Sequence, residues 1–281
     1  MNVIDINLNV DYKKAGVAEP GCPCRFTGYI LRQYLTECPV KRPAVIILPG
    51  GAYRHISARE AMPVATEYLA KGFSTFVLSY TVSPNGFFPC AMLETFTAVS
   101  YVRRNADLYG IDPNKIFVCG FSAGGHAAAS AGVLWNHPIA RNMGFTGSEH
   151  RPDAMVLCYP VITSGNFAHR ESFVNLLGNG LNEETLELVS LEKHVNHETP
   201  KTFIWHTASD ESVPVQNTLL FVNALILNKI ETEVHIYPRG EHGLSTARYD
   251  VLTPGRFAED PYVKISVTNW ISDSIRFLNY L

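Results

Sequence analysis

The chain has 281 residues, 46% hydrophobic and 17% charged, enough apolar material to bury a large core as one α/β domain over residues 1–281. Its net charge of −3 offers no basic footprint, so neither nucleic acid nor an anionic membrane is an expected partner. No stretch approaches the roughly 18 uninterrupted apolar residues of a membrane span. The opening Met1-Asn2-Val3-Ile4-Asp5-Ile6 alternates and lacks the basic start and apolar run of a signal peptide, so the cytoplasm is the expected compartment.

In chain order, Asn2 to Tyr12 alternates as a strand, a turn-rich stretch with Pro20, Gly21 and Pro23 follows, and Phe26 to Tyr34 resumes, which predicts an antiparallel hairpin. The Cys22-Pro23-Cys24 pair has no second Cys/His pair to complete a four-ligand zinc site, so it reads as a surface loop and no metal is expected. Six cysteines in a chain this rich in core do not call for a disulfide framework. Cys119 and Cys158 fall inside apolar runs and read as buried small hydrophobes.

From Ala44 the pattern changes to short, continuously apolar runs, as expected of parallel strands covered on both faces. They lie at Ala44 to Leu48, Thr75 to Tyr80, Lys115 to Cys119, Ala154 to Tyr159, Thr202 to His206 and Glu233 to Tyr237. Helical spacing fills the intervals: Ala58 to Lys71 before Gly72, Pro89 to Tyr109 before Gly110, the alanine-rich Gly124 to Leu134, and Pro214 to Asn228. Pro261 to Leu281 reads as a closing amphipathic helix. Strands alternating with helices predict a mostly parallel eight-stranded sheet with helices on both faces. Residues 161–200 are richer in turns and hold one short acidic helix near Asn182 to Leu191. They read as an insertion at the strand C-termini, either a lid or an ordinary long connection.

The chemistry centres on Gly120-Phe121-Ser122-Ala123-Gly124, which directly follows a strand and precedes a small-residue helix. That context makes Ser122 a candidate nucleophile, because a sharp strand-to-helix turn holds the hydroxyl at its tip and leaves no room for a Cβ at 120 or 124. A serine needs an adjacent base, itself oriented by a carboxylate. Asp210 in the loop after the strand ending at His206, and His242 in the loop after the last strand, come in the order such enzymes use. Among ten histidines His242 is preferred. His126 lies too close to Ser122 in sequence, and His206 reads as a packed neighbour of Asp210. Glu211 competes with Asp210, and Asp250 is the weaker alternative. Leu48-Pro49-Gly50-Gly51-Ala52-Tyr53 follows an early strand, and the backbone N–H groups of Gly51 or Ala52, with that of Ala123, are candidate oxyanion donors. Tyr53, His55, Tyr80 and Phe87 lie just past strand ends and are candidates to line a substrate pocket, with packing as the alternative.

Pro49-Gly50-Gly51-Ala52-Tyr53, Ile111-Asp112-Pro113-Asn114-Lys115-Ile116, Gly120-Phe121-Ser122-Ala123-Gly124-Gly125-His126, Asp210-Glu211-Ser212-Val213-Pro214 and Glu241-His242-Gly243 resemble the small esterases of the α/β-hydrolase superfamily. The likeness is to acetyl-esterase and acetyl-xylan-esterase-like enzymes, related to the hormone-sensitive-lipase and prolyl-oligopeptidase branches. Pro49 and Ala52 depart from it, standing where many relatives have histidine and a third glycine. The resemblance implies hydrolysis of short acyl esters, acetyl groups on sugars among them, with no cofactor. A peptidase or amidase would use the same triad, but a related peptidase often carries an extra N-terminal domain, which is not expected here. A silent binding protein is disfavoured by the intact Ser122, Asp210 and His242. A homodimer through sheet edges is compatible with such a sheet.

Overall fold

The computed structural model describes residues 1–31, 40–249, 251 and 260–281. Its frame is one sheet of eight strands. These are β1 (Asn2–Asn7), β2 (Arg25–Ile30), β3 (Arg42–Leu48), β4 (Ser74–Ser79), β5 (Ile111–Phe121), β6 (Ala154–Cys158), β7 (Lys201–Thr207) and β8 (Thr232–Tyr237). They run in the spatial order β1-β2-β4-β3-β5-β6-β7-β8. β1 pairs antiparallel with β2 and β2 antiparallel with β4, while every pairing from β4 through β3 to β8 is parallel. The sheet and its opening hairpin match the sequence-based expectation, although β1 stops at Asn7. The predicted end of the second strand at Tyr34 lies outside the described residues, as do Cys38 and Asp250.

The apolar runs of the inner strands are two interleaved sets, because alternate residues on a strand face opposite sides. Ala44, Ile46 and Leu48 of β3 join Ile116 and Val118 of β5 on one face, under α2 (Cys90–Arg104), α4 (Ala123–Val133) and α8 (Gln216–Leu227). Val45 and Ile47 join Phe117, Cys119 and Phe121 on the other, under α1 (Met62–Ala70) and α10 (Trp270–Asn279). Fully buried Trp205, Trp270, Tyr68 and Phe203 fill that second layer. Both faces are therefore dry, and the β3–β5 edge that carries Ser122 is a rigid platform.

The predicted helix from Ala58 is interrupted: a 3₁₀ turn at Ala58–Glu60 precedes α1, with a break at Ala61. That from Pro89 divides at Asn105 into α2 and the short α3 (Ala106–Tyr109). α5 (Pro138–Asn142) is a further short piece, and α9 (Pro261–Ser266) precedes α10 at the C-terminal end. Residues 161–200 hold two helices, not one. α6 (Arg170–Leu177) joins α7 (Glu183–Leu188), whose capping box at Asn182 and Thr185 explains its sharp start. α6 carries Phe173, Leu176 and Leu177 on its buried side, an i, i+3, i+4 stripe that a turn-centred reading of the segment overlooked. Cys24 is buried, not on the surface, while Cys22 is half-buried. Cys119 and Cys158 are buried as expected. Among the described residues no helix is long and apolar enough to cross a membrane.

The turn from β5 into α4 depends on close backbone approach. A Cβ on Gly124 would sit 2.1 Å from the Leu48 carbonyl oxygen and 2.4 Å from that of Pro49, and one on Gly120 would sit 2.3 Å from the Gly124 carbonyl oxygen. Backbone on both sides cannot give way, so Gly124→Ala is expected to destabilise the fold by about 3 kcal/mol or more. Denaturant unfolding checks this, and a loss under about 1 kcal/mol would contradict the close approach.

Candidate active site

Ser122 sits at the tip of the turn with φ 52° and ψ −119°, a conformation that non-glycine residues rarely adopt. The strained turn is pinned from both sides. The Ser122 N–H donates to Cys158 O at 3.0 Å, and Ser122 O accepts from Val161 N and His126 N, each at 3.1 Å. The side chain that results is 7% exposed, a hydroxyl at the edge of the sheet and not in its core.

The loops after β7 and β8 bring Asp210 and His242 to it. His242 Nε2 lies 2.8 Å from Ser122 Oγ and Nδ1 lies 2.6 Å from Asp210 Oδ2. A carboxylate only accepts, so Nδ1 carries the proton and Nε2 is left to accept from the serine hydroxyl. Asp210 Oδ1 accepts the backbone N–H groups of Ser212 and Val213, each at 2.9 Å. Burial by itself would push the Asp210 carboxyl up. The hydrogen bonds from His206, His242 and Val213 outweigh it and hold the group well below the ordinary 3.8, so it is a fixed anion behind His242. Glu211 is exposed and not part of this arrangement.

Two further histidines are accounted for by structure. His206 is fully buried, with Nε2 2.9 Å from Val213 O and 3.2 Å from Asp210 Oδ2, and Nδ1 2.8 Å from Thr218 Oγ1. It is the packed neighbour of Asp210 that the sequence suggests, and it also steadies the Val213 turn that holds the carboxylate. His126 is buried with Nδ1 2.8 Å from the Tyr53 hydroxyl and Nε2 2.9 Å from Val189 O. Burial pushes it down to about 4, so it is neutral and tied into the core.

The loop after β3 lies against Ser122, since a Cβ on Gly50 would fall 2.9 Å from Ser122 Cβ. Gly51, Ala52 and Tyr53 follow with φ of 130°, 53° and 56°, and only glycine fits at 51, where a Cβ would meet His55 O at 2.0 Å. The N–H groups of Gly51, Ala52 and Ala123 have no acceptor among the described residues, and Ala123 is the first residue of α4. Amides without a partner beside a nucleophile can receive a developing negative charge.

Of the four candidate pocket residues, two are largely buried. Tyr53 and Tyr80 are each 2% exposed, and their hydroxyls are committed inward, to His126 and to Pro49 O at 2.6 Å respectively. They shape the loop, and Tyr53 also borders a small space shared with Phe87, Asn175 and Leu176. His55 is exposed and Phe87 is 39% exposed, so both retain surface for a substrate. Asn175 of α6 was not anticipated; its side-chain amide donates to Ala52 O at 2.8 Å and so fastens the 161–200 segment to the loop after β3. Glu60 and Tyr159 were also not anticipated; Glu60 accepts the Gly50 N–H at 2.8 Å and the Tyr159 hydroxyl at 2.6 Å.

The family model BD-FAE matches residues 34–225. Endo-1,4-beta-xylanase B of Butyrivibrio fibrisolvens is 39% identical over 76% of this chain and 34% of its own length. Acetylxylan esterase of Xylanibacter ruminicola is 30% identical over 75% of this chain and 42% of its own length. The chain thus spans less than half the length of these curated relatives. A solved acetyl ester-xyloside bifunctional hydrolase from Caldicellulosiruptor lactoaceticus superposes with a TM-score of 0.81 and 33% identity, covering 99% of this chain and 96% of that one. The sheet order, the elbow at Ser122 and these likenesses agree: the chain belongs to the BD-FAE family, within the esterase-like α/β-hydrolases.

Proposed function

We propose that the protein is a serine carboxylic-ester hydrolase that cleaves short acyl esters, acetyl groups on sugars among them. The observation that carries this reading is the unbroken relay from Asp210 to His242 at 2.6 Å and from His242 to Ser122 at 2.8 Å. Ser122 Oγ attacks the ester carbonyl carbon as its proton passes to His242 Nε2. Asp210, already ionised, stabilises the imidazolium that forms. The carbonyl oxygen becomes an oxyanion, received by the N–H of Ala123 together with that of Gly51 or Ala52. His242 then returns its proton to the departing alcohol, leaving an acyl group on Ser122. Water, deprotonated by the same nitrogen, attacks the acyl carbon and releases the acid and the free serine.

The relatives support the ester class by their own descriptions, one an acetylxylan esterase and one an acetyl ester-xyloside hydrolase. No step in this scheme requires a metal or a cofactor. A substrate panel tests the reading. Para-nitrophenyl acetate and acetylated xylo-oligosaccharides are expected to turn over at least a hundredfold faster, by kcat/KM, than aminoacyl para-nitroanilides. Faster turnover of the anilides would assign the same machinery to a peptidase or amidase. No turnover of any ester would favour a binding protein.

A further inference from the structure

One buried carboxylate joins the two loops that flank Ser122. Glu60 is 3% exposed and closes the turn ahead of α1. Its Oε2 accepts the Gly50 N–H of the oxyanion loop at 2.8 Å, and its Oε1 accepts the Tyr159 hydroxyl at 2.6 Å. That hydroxyl in turn accepts the Ser245 N–H at 2.8 Å, just past His242 in the same loop. Ser245 is held a second time through its own hydroxyl, which donates to Arg59 O at 2.6 Å. The Tyr159 ring stands edge-on to the His242 imidazole with centroids 5.0 Å apart. A Cβ on Gly50 would lie 2.8 Å from Glu60 Oε2 and 2.9 Å from Ser122 Cβ, so the Gly50 backbone packs against both the carboxylate and Ser122.

The proton directions in this chain follow from the groups themselves. A phenol has one proton, and the Ser245 N–H already uses a lone pair of the Tyr159 oxygen, so the proton points at Glu60. Burial first and the Glu60 charge second push the Tyr159 hydroxyl well above its ordinary value, so it stays a donor. Gly50 N–H can only donate. Both oxygens of Glu60 must therefore accept, which a carboxylate does and an amide of the same shape does not. A carboxylate is costly to bury, and apolar side chains of similar volume would fill the space as well.

We propose that Glu60, acting through Gly50 and through Tyr159, is a positioning residue that fixes the oxyanion loop and the His242 loop at one spacing relative to Ser122. The inference rests on the ester-hydrolase reading above and adds to it a group that touches neither substrate nor the reacting atoms. In Glu60→Gln the amide nitrogen must face either Gly50 N–H, losing that bond, or the Tyr159 hydroxyl, whose proton then loses its acceptor. In Tyr159→Phe both bonds of the phenol are lost, the one to Glu60 and the one from Ser245, while the Gly50 N–H keeps its acceptor.

The test is kcat measured per active site, with sites counted by fluorophosphonate labelling carried to completion. For Glu60→Gln, kcat on para-nitrophenyl acetate is expected to fall roughly tenfold to a hundredfold, with KM within about threefold of the wild type. Tyr159→Phe is expected to slow ethyl acetate more than para-nitrophenyl acetate. The alkoxide needs the proton that His242 returns, whereas nitrophenolate leaves without it. A purely structural role would lower Tm and the count of active sites, yet leave kcat per site within twofold of the wild type in both variants; that result overturns the proposal. If Glu60→Gln yields no soluble protein, Tyr159→Phe decides on the same measurements. Failure of the ester-hydrolase reading looks different, because the wild type itself would then be neither labelled nor active on para-nitrophenyl acetate, and the positioning role would fall with it.

Discussion

Asp210→Asn is expected to lower kcat by about four orders of magnitude while leaving the fold and KM nearly unchanged. The reason lies in the two backbone N–H groups of Ser212 and Val213, which both point at Oδ1. They select the oxygen of the asparagine amide, so its NH₂ faces His242. An NH₂ can only donate, and His242 Nδ1 must then accept. The imidazole proton moves to Nε2, the nitrogen 2.8 Å from Ser122 Oγ, which can no longer take the serine's proton. A fall of less than tenfold would contradict the assignment of Asp210.

The same variant gives a stability readout with a fixed sign. The folded-state carboxyl is held below its ordinary value of 3.8. A group depressed in this way contributes fully above its unfolded value and loses that contribution as pH falls through the folded one. The wild type is therefore expected to lose, as pH drops below about 4, an increment of stability that Asp210→Asn never had. The gap between their denaturant midpoints narrows in acid. A gap that stays constant, or widens, contradicts the depressed carboxyl.

Ser122→Ala removes the proposed nucleophile and is expected to reduce kcat by about six orders of magnitude. Substrate affinity is expected to persist, because the proposed oxyanion donors at Gly51, Ala52 and Ala123 are backbone amides. The measurement is kcat per mole of folded protein, with folding verified by an unchanged Tm. Retention of more than a thousandth of wild-type activity would mean that another group does the chemistry.

The positions of the inner strands and the turn at Ser122 were legible in the sequence because local rules govern them. Continuous apolar runs specify strands covered on both faces, and Gly120 and Gly124 are required by backbone contacts that any Cβ would break. Asp210 and His242 were legible because each follows a strand in an order that the motif at Ser122 implies. Glu60 was not. In Ser57-Ala58-Arg59-Glu60 it has the look of a solvated charge at a helix start, and its partners Gly50 and Tyr159 come from two other parts of the chain. Asn175 escaped for a similar reason, since its acceptor is a backbone carbonyl more than a hundred residues earlier, at Ala52. Position past a strand end does not say which way a ring turns; Tyr53 and Tyr80 both turn their hydroxyls inward, where these find partners. Sequence pattern reports what an element needs from its neighbours in the chain. It is silent on polar bonds that close only when the loops assemble.

The central claim, that Ser122 is the nucleophile, is tested most directly by covalent trapping. Treatment with a fluorophosphonate followed by peptide mass analysis is expected to place one adduct on Ser122, with ester hydrolysis lost in proportion to labelling and no adduct in Ser122→Ala. Labelling at another residue, or full ester hydrolysis by protein that carries the adduct, would contradict the account.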